Sequence, residues 1–246
     1  TFTPTDRARL EVPADSVVFN GDADALAQGL LGDDARGAVG APLRPERRSL
    51  SATTWAIHAA TQGFELSRHN VFVDDGYASE FDDVFVQRRL PRQGTVYLCA
   101  QDRLHDGQIP EARERLLALV NAPADGDRRS FDATETDPCE HRSLSLLRHC
   151  GLQLTIREAG QVLRRTPADF HRLYPGSGGA LYGPATHGWM ALFRRPGAAT
   201  ALPGLYLAGG SAHPGPGVPM AAMSGRLAAA TLMASLDSIS RSRRVR

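Results

Sequence analysis

Residues 205–232, LYLAGGSAHPGPGVPMAAMSGRLAAATL, concentrate the types able to hold an anionic or electron-rich group. Leu205 to Ala208 is a short apolar run of strand character. Gly209 and Gly210 end it, Ser211 and His213 offer polar side chains, and Pro214, Gly215 and Gly217 shape a loop. Val218, Pro219 and Met220 then open an Ala-rich segment of helical composition, with Pro219 suited to a first helical turn. A strand, a glycine loop and a helix start make a place for a phosphate or another anionic group. Glycine lets a ligand come close to the backbone, and the first helical N–H groups lack intrahelical acceptors and carry a partial positive charge. The strict dinucleotide fingerprint is GxGxxG, and GPGVPM keeps only its first two glycines. The spacing therefore fits a second glycine loop over a cofactor, or a plain tight turn. The small residues Ala221, Ala222, Gly225, Ala228 and Ala229 allow close helix packing without any ligand. His213 is a candidate base, but the simpler expectation is a loop histidine bonded to the backbone of its own turn.

Those residues need a frame. SVVFNGD (16–22) reads as a short buried strand stopped by Asn20 and Gly21, and ADALAQGLLG as a helix ending at Gly32. SATTWAIHAATQGF alternates, with Trp55 and Ile57 on one face and Thr54 and His58 on the other. HNVFVDD and TVYLCAQD are further strands, rich in β-branched and aromatic residues. EFDDVFVQRRL predicts a helix with Phe81, Val84 and Phe85 on one face. DATETDPCEHRSLSLLRHCG opens acidic and closes on Arg148 and His149, an order that suits the helix dipole. LQLTIREAG predicts a strand, and Thr166 ahead of Pro167 and Asp169 predicts a capped helix. The fold class expected is α/β, of the mixed α+β kind, with strands running in both directions.

Other residues carry two readings each. Asn20 and Asp22 are candidates for cofactor contact or plain turn residues. GGALYG (178–183), with Tyr182, is a second close backbone approach or a Gly-rich turn. Trp55, Phe64, Phe72, Phe81, Phe85, Trp189 and Phe193 are candidates to line an apolar tunnel, against the commoner role of core. His58 and His187 are expected to be structural, and no group has metal-site spacing.

The chain has 246 residues, 42% of them hydrophobic, enough for one large domain or two smaller ones. Lys and Arg number 28 against 27 Asp and Glu, so no global field argues for nucleic acid. The local exception is RSRRVR (241–246), read as a solvated tail ahead of a hold on an anionic membrane surface. Cys99, Cys139 and Cys150 are odd in number and lack any CxxC, which argues against a disulfide framework or a zinc site and for a reducing, cytoplasmic compartment. No apolar run approaches the roughly 20 residues that span a bilayer.

GLYLAGGSAHPGPGVPMAAMSGRLAA resembles the C-terminal flavin-binding signature of the carotenoid desaturases of the phytoene desaturase type, within the wider flavin amine oxidase superfamily. Ser211, His213, Pro214, Gly215, Gly217, Val218 and Pro219 fall on that pattern. SLSATTWAIHAATQGFELSRHNVFVDDGYASEFDDVF, TVYLCAQDR, LLALVNAPADGD and GGALYGPATHGWMALFRRPG are similar to the branch of 1-hydroxycarotenoid 3,4-desaturases and methoxyneurosporene dehydrogenases. The resemblance covers nearly the whole chain but only the C-terminal half of such a protein. SVVFNGDADAL resembles the segment where the family's chain re-enters its FAD-binding domain.

The resemblance implies the C-terminal part of a two-domain, FAD-dependent amine-oxidase-like fold. Residues 1–40 would be the returning segment of the FAD-binding domain, 41–198 the substrate-binding domain, 199–240 the C-terminal FAD-binding strand, loop and helix, and 241–246 a basic tail. It implies FAD as cofactor, with Gly209, Gly210, Ser211, His213, Pro214, Gly215, Gly217, Val218, Pro219 and Met220 beside it. The implied reaction is desaturation of a hydroxylated or methoxylated acyclic carotenoid, with hydride passing to the flavin N5. The helix N-terminus would face the flavin pyrimidine ring, where its dipole stabilises negative charge. The wider superfamily carries an acidic residue at the position of Gly210, so no carboxylate is offered there. The implied partners are a hydrophobic polyene, a peripheral membrane surface on the cytoplasmic side, and a missing N-terminal half, without which the isolated chain is expected to be inactive. Related alternatives are a phytoene desaturase or a carotenoid isomerase-like flavoprotein. An alternative of another class is a non-catalytic half that binds hydrophobic ligands or a partner chain.

Overall fold

The computed structural model describes residues 11–103, 112–156, 162–185 and 194–244, with side chains described through residue 238. In chain order the first elements are β1 (Val17–Phe19), α1 (Ala23–Ala27), α2 (Asp33–Arg36), β2 (Ser51–Gly63), β3 (His69–Val73), α3 (Tyr77–Phe81) and β4 (Thr95–Ala100). They are followed by β5 (Glu114–Ala122), α4 (Ala133–His149), β6 (Leu152–Thr155), β7 (Val162–Arg165), α5 (Pro167–Leu173), β8 (Leu205–Leu207) and α6 (Val218–Arg244). Helices and strands are interspersed, a mixed α/β class as expected. The chain divides into two compact units, residues 1–42 with 186–246, and residues 43–185.

In the first unit β1 and β8 pair in parallel, Val17 opposite Leu205 and Phe19 opposite Leu207. Leu205 and Leu207 pack with Ala23, Leu26, Ala35, Ala38 and Ala212. The strand at 16–22 was expected to be buried. It is instead paired along one edge among the described residues, and Val18 remains 46% exposed. The helix expected to run to Gly32 is also shorter. Asp22 caps α1 by accepting from the Asp24 N–H at 2.9 Å, and the chain turns at Gly29, whose φ of +79° closes the helix early.

The second unit is a six-stranded antiparallel sheet in the order β3, β4, β5, β2, β6, with β7 also on β2. Strand β2 is 13 residues long and serves three partners in turn. The alternation expected there appears only from Trp55 onward, with Trp55 2% exposed, Ile57 buried and His58 open to solvent. Thr54, expected on the His58 face, is buried, as is all of Ser51–Trp55. One face of the sheet is covered. Trp55, Ile57, Phe72, Val96, Leu98, Leu116, Ala118 and Val120 pack there with Cys139 and Leu147 of α4. Two polar ties fix α4 on that face: Trp55 Nε1 donates to Glu140 at 2.8 Å, and Arg164 pairs with Asp137 at 2.7 Å. The helix starts where Asp132 accepts from the Thr134 N–H at 2.9 Å and ends on Arg148 and His149. Thr166 and Asp169 form a reciprocal cap on α5, as their spacing predicted.

The segment EFDDVFVQRRL differs from its expected single helix. After α3 the backbone widens into a π turn over Asp82–Val86. The extra residue per turn breaks the 3.6-residue period, so Val84 alone of the three apolar positions points inward. The inward positions go to carboxylates. Glu80 accepts from the Thr95 N–H at 2.8 Å and Asn121 Nδ2 at 2.7 Å, and Asp83 accepts from the Arg92 N–H at 2.9 Å. Phe81 and Phe85 are left outside, stacked at 6.4 Å, with Tyr77 edge-on to Phe81.

Candidate functional site

The glycine loop joins β8 to α6. Three of its glycines have left-handed φ: Gly209 at +124°, Gly215 at +135° and Gly217 at +100°. The first two are also crowded. A Cβ on Gly209 would lie 3.1 Å from Asn20 Nδ2, and one on Gly215 would lie 3.3 Å from Arg195 Nε. Gly217 differs, because a Cβ there would meet nothing within 4 Å. Its φ requires glycine, but the space beside it is open. Val218, Pro219 and Met220 are exposed around that opening.

The inner side of the loop is tied down. Ser211 Oγ accepts from the Ala23 N–H at the start of α1, at 3.0 Å. Asn20 Nδ2 donates to the Ala208 carbonyl at 3.1 Å, and the Gly209 N–H donates to Ser224 Oγ of α6 at 3.2 Å. Arg195, 5% exposed, donates from Nη1 to the Gly210 carbonyl at 3.0 Å. Burial pulls that guanidinium's pKa down, with Asp22 opposing. The His213 N–H donates to the Pro196 carbonyl at 2.8 Å, outside its own turn, and the bond from His213 to Pro214 is cis. Gly210 has an ordinary φ and, like half-buried Pro214, lies between these anchors.

The strand, loop and helix N-terminus expected from the sequence are thus brought together. Asn20 and Asp22 sit beside the loop and act as a strand tie and a helix cap. Backbone borders the open space at Gly217, and Val218 and Met220 carry N–H groups at the start of α6, with Pro219 contributing none. Gly178 and Gly179 belong to the other unit. Both have left-handed φ, and a Cβ on Gly179 would lie 2.4 Å from the Pro167 carbonyl oxygen, so their glycines are required by packing. Tyr182 next to them is 49% exposed.

The second unit offers a different surface. On the sheet face away from α4, cross-strand neighbours are Val71, Tyr97 and Leu119 in one row, and His69, Cys99, Leu117, Ala56 and Leu163 in the next. Val71 is 61% exposed, Val73 and Leu163 are exposed, and Leu117 and Leu119 are half-buried. Of the aromatic residues proposed to line a tunnel, Trp55 and Phe72 belong to the covered core, and Phe64, Phe81 and Phe85 lie on the surface. Trp189, Phe193 and His187 lie outside the described residues. The apolar positions on the open face are mostly aliphatic, and the sequence did not single them out. Their signal was the period-2 pattern of HNVFV, which becomes readable once its pairing is known.

Charged clasps brace this sheet. Arg103 donates from Nε and Nη2 to Glu114 at 2.9 and 2.8 Å, and Thr61 Oγ1 donates to the same carboxylate at 2.6 Å. Burial pushes the Glu114 carboxyl up, but these donors more than offset it and hold it below the usual range. The three cysteines are free thiols, and burial pushes Cys139 to about 11.

No family model matches the chain. Individual relatives do. The chain is 69% identical over 236 residues to the hydroxyneurosporene desaturase of Rubrivivax gelatinosus, covering 96% of the chain and 44% of the relative. It is 43% identical to the hydroxyneurosporene desaturase of Cereibacter sphaeroides, over 94% of the chain and 45% of that relative. It is 28% identical to the 4,4'-diapolycopene oxygenase of a Methylomonas species, over 92% of the chain and 45% of the relative. The chain spans under half the length of the curated relatives it matches. No helix among the described residues is long and apolar enough to cross a membrane. Over nearly all its length the chain is similar to these hydroxyneurosporene desaturases, matched over under half of each.

Proposed function

We propose that the chain is part of an FAD-dependent desaturase acting on a hydroxylated or methoxylated acyclic carotenoid. The observation that carries this is the 69% identity to the hydroxyneurosporene desaturase of Rubrivivax gelatinosus, continuous over 96% of the chain. The glycine loop supports the cofactor half of the reading. When bound, FAD supplies the acceptor for the hydrogen removed across a carbon–carbon bond. The opening at Gly217 would let the flavin come close to backbone, and the N–H groups of Val218 and Met220, at the start of α6, would be the donors held for it, backed by the helix dipole. Gly209, Gly210, Ser211, His213, Pro214 and Gly215 hold the loop in that shape, with Arg195 and Asn20 beneath it. Ser211 and Ser224 have their oxygens engaged by backbone donors, so their role is to fix the loop.

The open face of the sheet supports the substrate half. Apolar and partly exposed residues there give a long conjugated chain a surface on which to leave water. In this reading residues 1–40 and 199–240 serve the cofactor domain and 41–198 the substrate domain. The protein works at a membrane surface that stores its lipid-soluble substrate, with residues 241–246 as a basic tail. An N-terminal half completes the cofactor site, and the chain alone does not turn over.

The test joins the chain to the N-terminal part of the Rubrivivax gelatinosus relative and compares it with the chain alone. The expected result is flavin retained through gel filtration by the joined protein only, together with desaturation of a 1-hydroxycarotenoid. Stoichiometric flavin on the chain alone would overturn the dependence on a second half. Flavin on neither would overturn the assignment.

A further inference from the structure

The open face mixes apolar positions with polar ones such as Thr54, His58 and Arg165, and a polar pair stands beside the apolar residues of β3 and β4. His69 is on the edge strand β3, and Tyr97 is diagonal to it on β4. The His69 Nδ1 lies 2.7 Å from the Tyr97 hydroxyl oxygen, and the two rings are stacked 6.1 Å apart at 22°. Val71, Leu117 and Leu119 surround the pair on the same face. His69 is exposed and Tyr97 half-buried, so the shared hydrogen bond sits at the surface of an apolar patch.

Such a pair keeps one unused hydrogen-bonding valence whichever way its proton lies. If Nδ1 accepts from the hydroxyl, the phenol oxygen still has a free lone pair. The Cys99 thiol is a second partner of the same hydroxyl. Where Nδ1–H and this S–H both donate to the phenol oxygen, the phenol O–H can donate outward. Burial and the neighbouring Cys99 push the Tyr97 pKa up, so the hydroxyl keeps its proton through neutral pH.

We propose that His69 and Tyr97 read the oxygen of a hydroxylated or methoxylated carotenoid lying on this face, and that they set the preference for such substrates over plain hydrocarbons. This rests on the desaturase reading above. A bare polyene laid across the pair would strip water from its free valence and give nothing back, which costs free energy. A hydroxyl satisfies it as donor or acceptor. A methyl ether accepts only, and the tautomer that turns the phenol O–H outward satisfies it too. The selectivity therefore comes from rejecting the substrate that leaves a polar group unpaired.

The experiment uses the joined protein described above and three substrates: a 1-hydroxy carotenoid, its 1-methoxy ether, and the hydrocarbon of the same length. The quantity read is the ratio of kcat/KM for each oxygenated substrate to that for the hydrocarbon. Tyr97→Phe is expected to lower both ratios about tenfold, the worth of one neutral hydrogen bond. His69→Phe, which removes only the orienting partner, is expected to lower them by a smaller factor, about threefold. Ratios unchanged in both variants would overturn the proposal, whatever happens to absolute rates. If the parent protein desaturates none of the three, the desaturase reading fails. The pair is then judged by partition of the same three carotenoids from detergent micelles onto the protein, where Tyr97→Phe must again lower the preference for the oxygenated pair. A variant that fails to fold by circular dichroism is replaced by the other.

Discussion

The two faces of the six-stranded sheet are made from the same strands and from similar apolar residues, yet they do different work. On one face Trp55, Phe72, Leu98, Leu116 and Val120 lie under α4 and are almost fully buried. On the other, one residue along each strand, Val71, Val73, Leu117 and Leu163 keep part of their surface in water. The covered face holds the unit together. The open face leaves apolar area available, and the His69–Tyr97 pair beside Val71 and Leu117 gives that area a direction. Apolar residues that fold a protein and apolar residues that bind a ligand are thus not told apart by type. They are told apart by what covers them.

The strongest test of that contrast is Trp55→Ala. It removes the largest side chain of the covered face and leaves the Glu140 carboxylate without its indole donor. A loss of about 3–5 kcal/mol is expected. Guanidinium denaturation of unfolding midpoints would measure it, and a loss no larger than that of Val71→Ala would erase the distinction between faces.

The clasp of Arg103 and Glu114 sharpens the same contrast with charge. Arg103→Met strands a buried carboxylate and is expected to cost about 3 kcal/mol at pH 7. The pH dependence gives the sign. In the parent, the folded Glu114 pKa lies below its unfolded value, so its contribution is present above the ordinary glutamate range near ~4.3 and is lost as pH falls through the lower folded value. Asp83 has the same sign: burial pushes it up, but the Arg92 N–H and the Arg89 guanidinium hold it below the usual range. In Arg103→Met the unpaired carboxyl rises above its unfolded value, so mild acid should recover part of the lost stability. Unfolding midpoints at pH 7 and pH 5 that fall together in parent and variant would contradict this.

These contrasts were unequally legible in the sequence. The glycine loop could be read directly, because a left-handed φ at Gly209, Gly215 and Gly217 leaves few choices of residue. The alternation of β2 from Trp55 to Ala59 and the cap at Thr166 could be read for the same local reason. The π turn after Phe81 could not, since Glu80 and Asp83 turn inward to meet donors on β4, β5 and the loop before β4, distant partners that no 3.6-residue pattern records. The open face was hidden because it depends on register. His69 and Tyr97 are 28 residues apart and meet only when Val71 pairs with Tyr97.

The loop of the first unit repeats the contrast on a smaller scale, between adjacent glycines. Gly209 has φ +124° and a neighbour at 3.1 Å, whereas Gly210 has an ordinary φ and its nearest neighbour at 3.6 Å. Gly209→Val should cost about 1–3 kcal/mol and reduce flavin retention in the joined protein. Gly210→Ala should be tolerated in both measurements. Equal losses would mean that the loop is held by something other than its backbone conformation.

The smallest stability effect belongs to the open face itself. Val71 stands 61% exposed on an edge strand, and its side chain lies outside the core packed against α4. Val71→Ser should therefore shift stability by no more than about 0.5 kcal/mol. It should nevertheless weaken retention of a polyene, because it replaces apolar area with a hydroxyl beside Tyr97. That combination separates the faces most cleanly. A covered position cannot change ligand retention without changing the fold, and an uncovered one can. If Val71→Ser left polyene retention untouched while Leu163→Ser on β7 lowered it, the bound chain would lie across the β7 side of the sheet. The pair of His69 and Tyr97 would then stand at its margin.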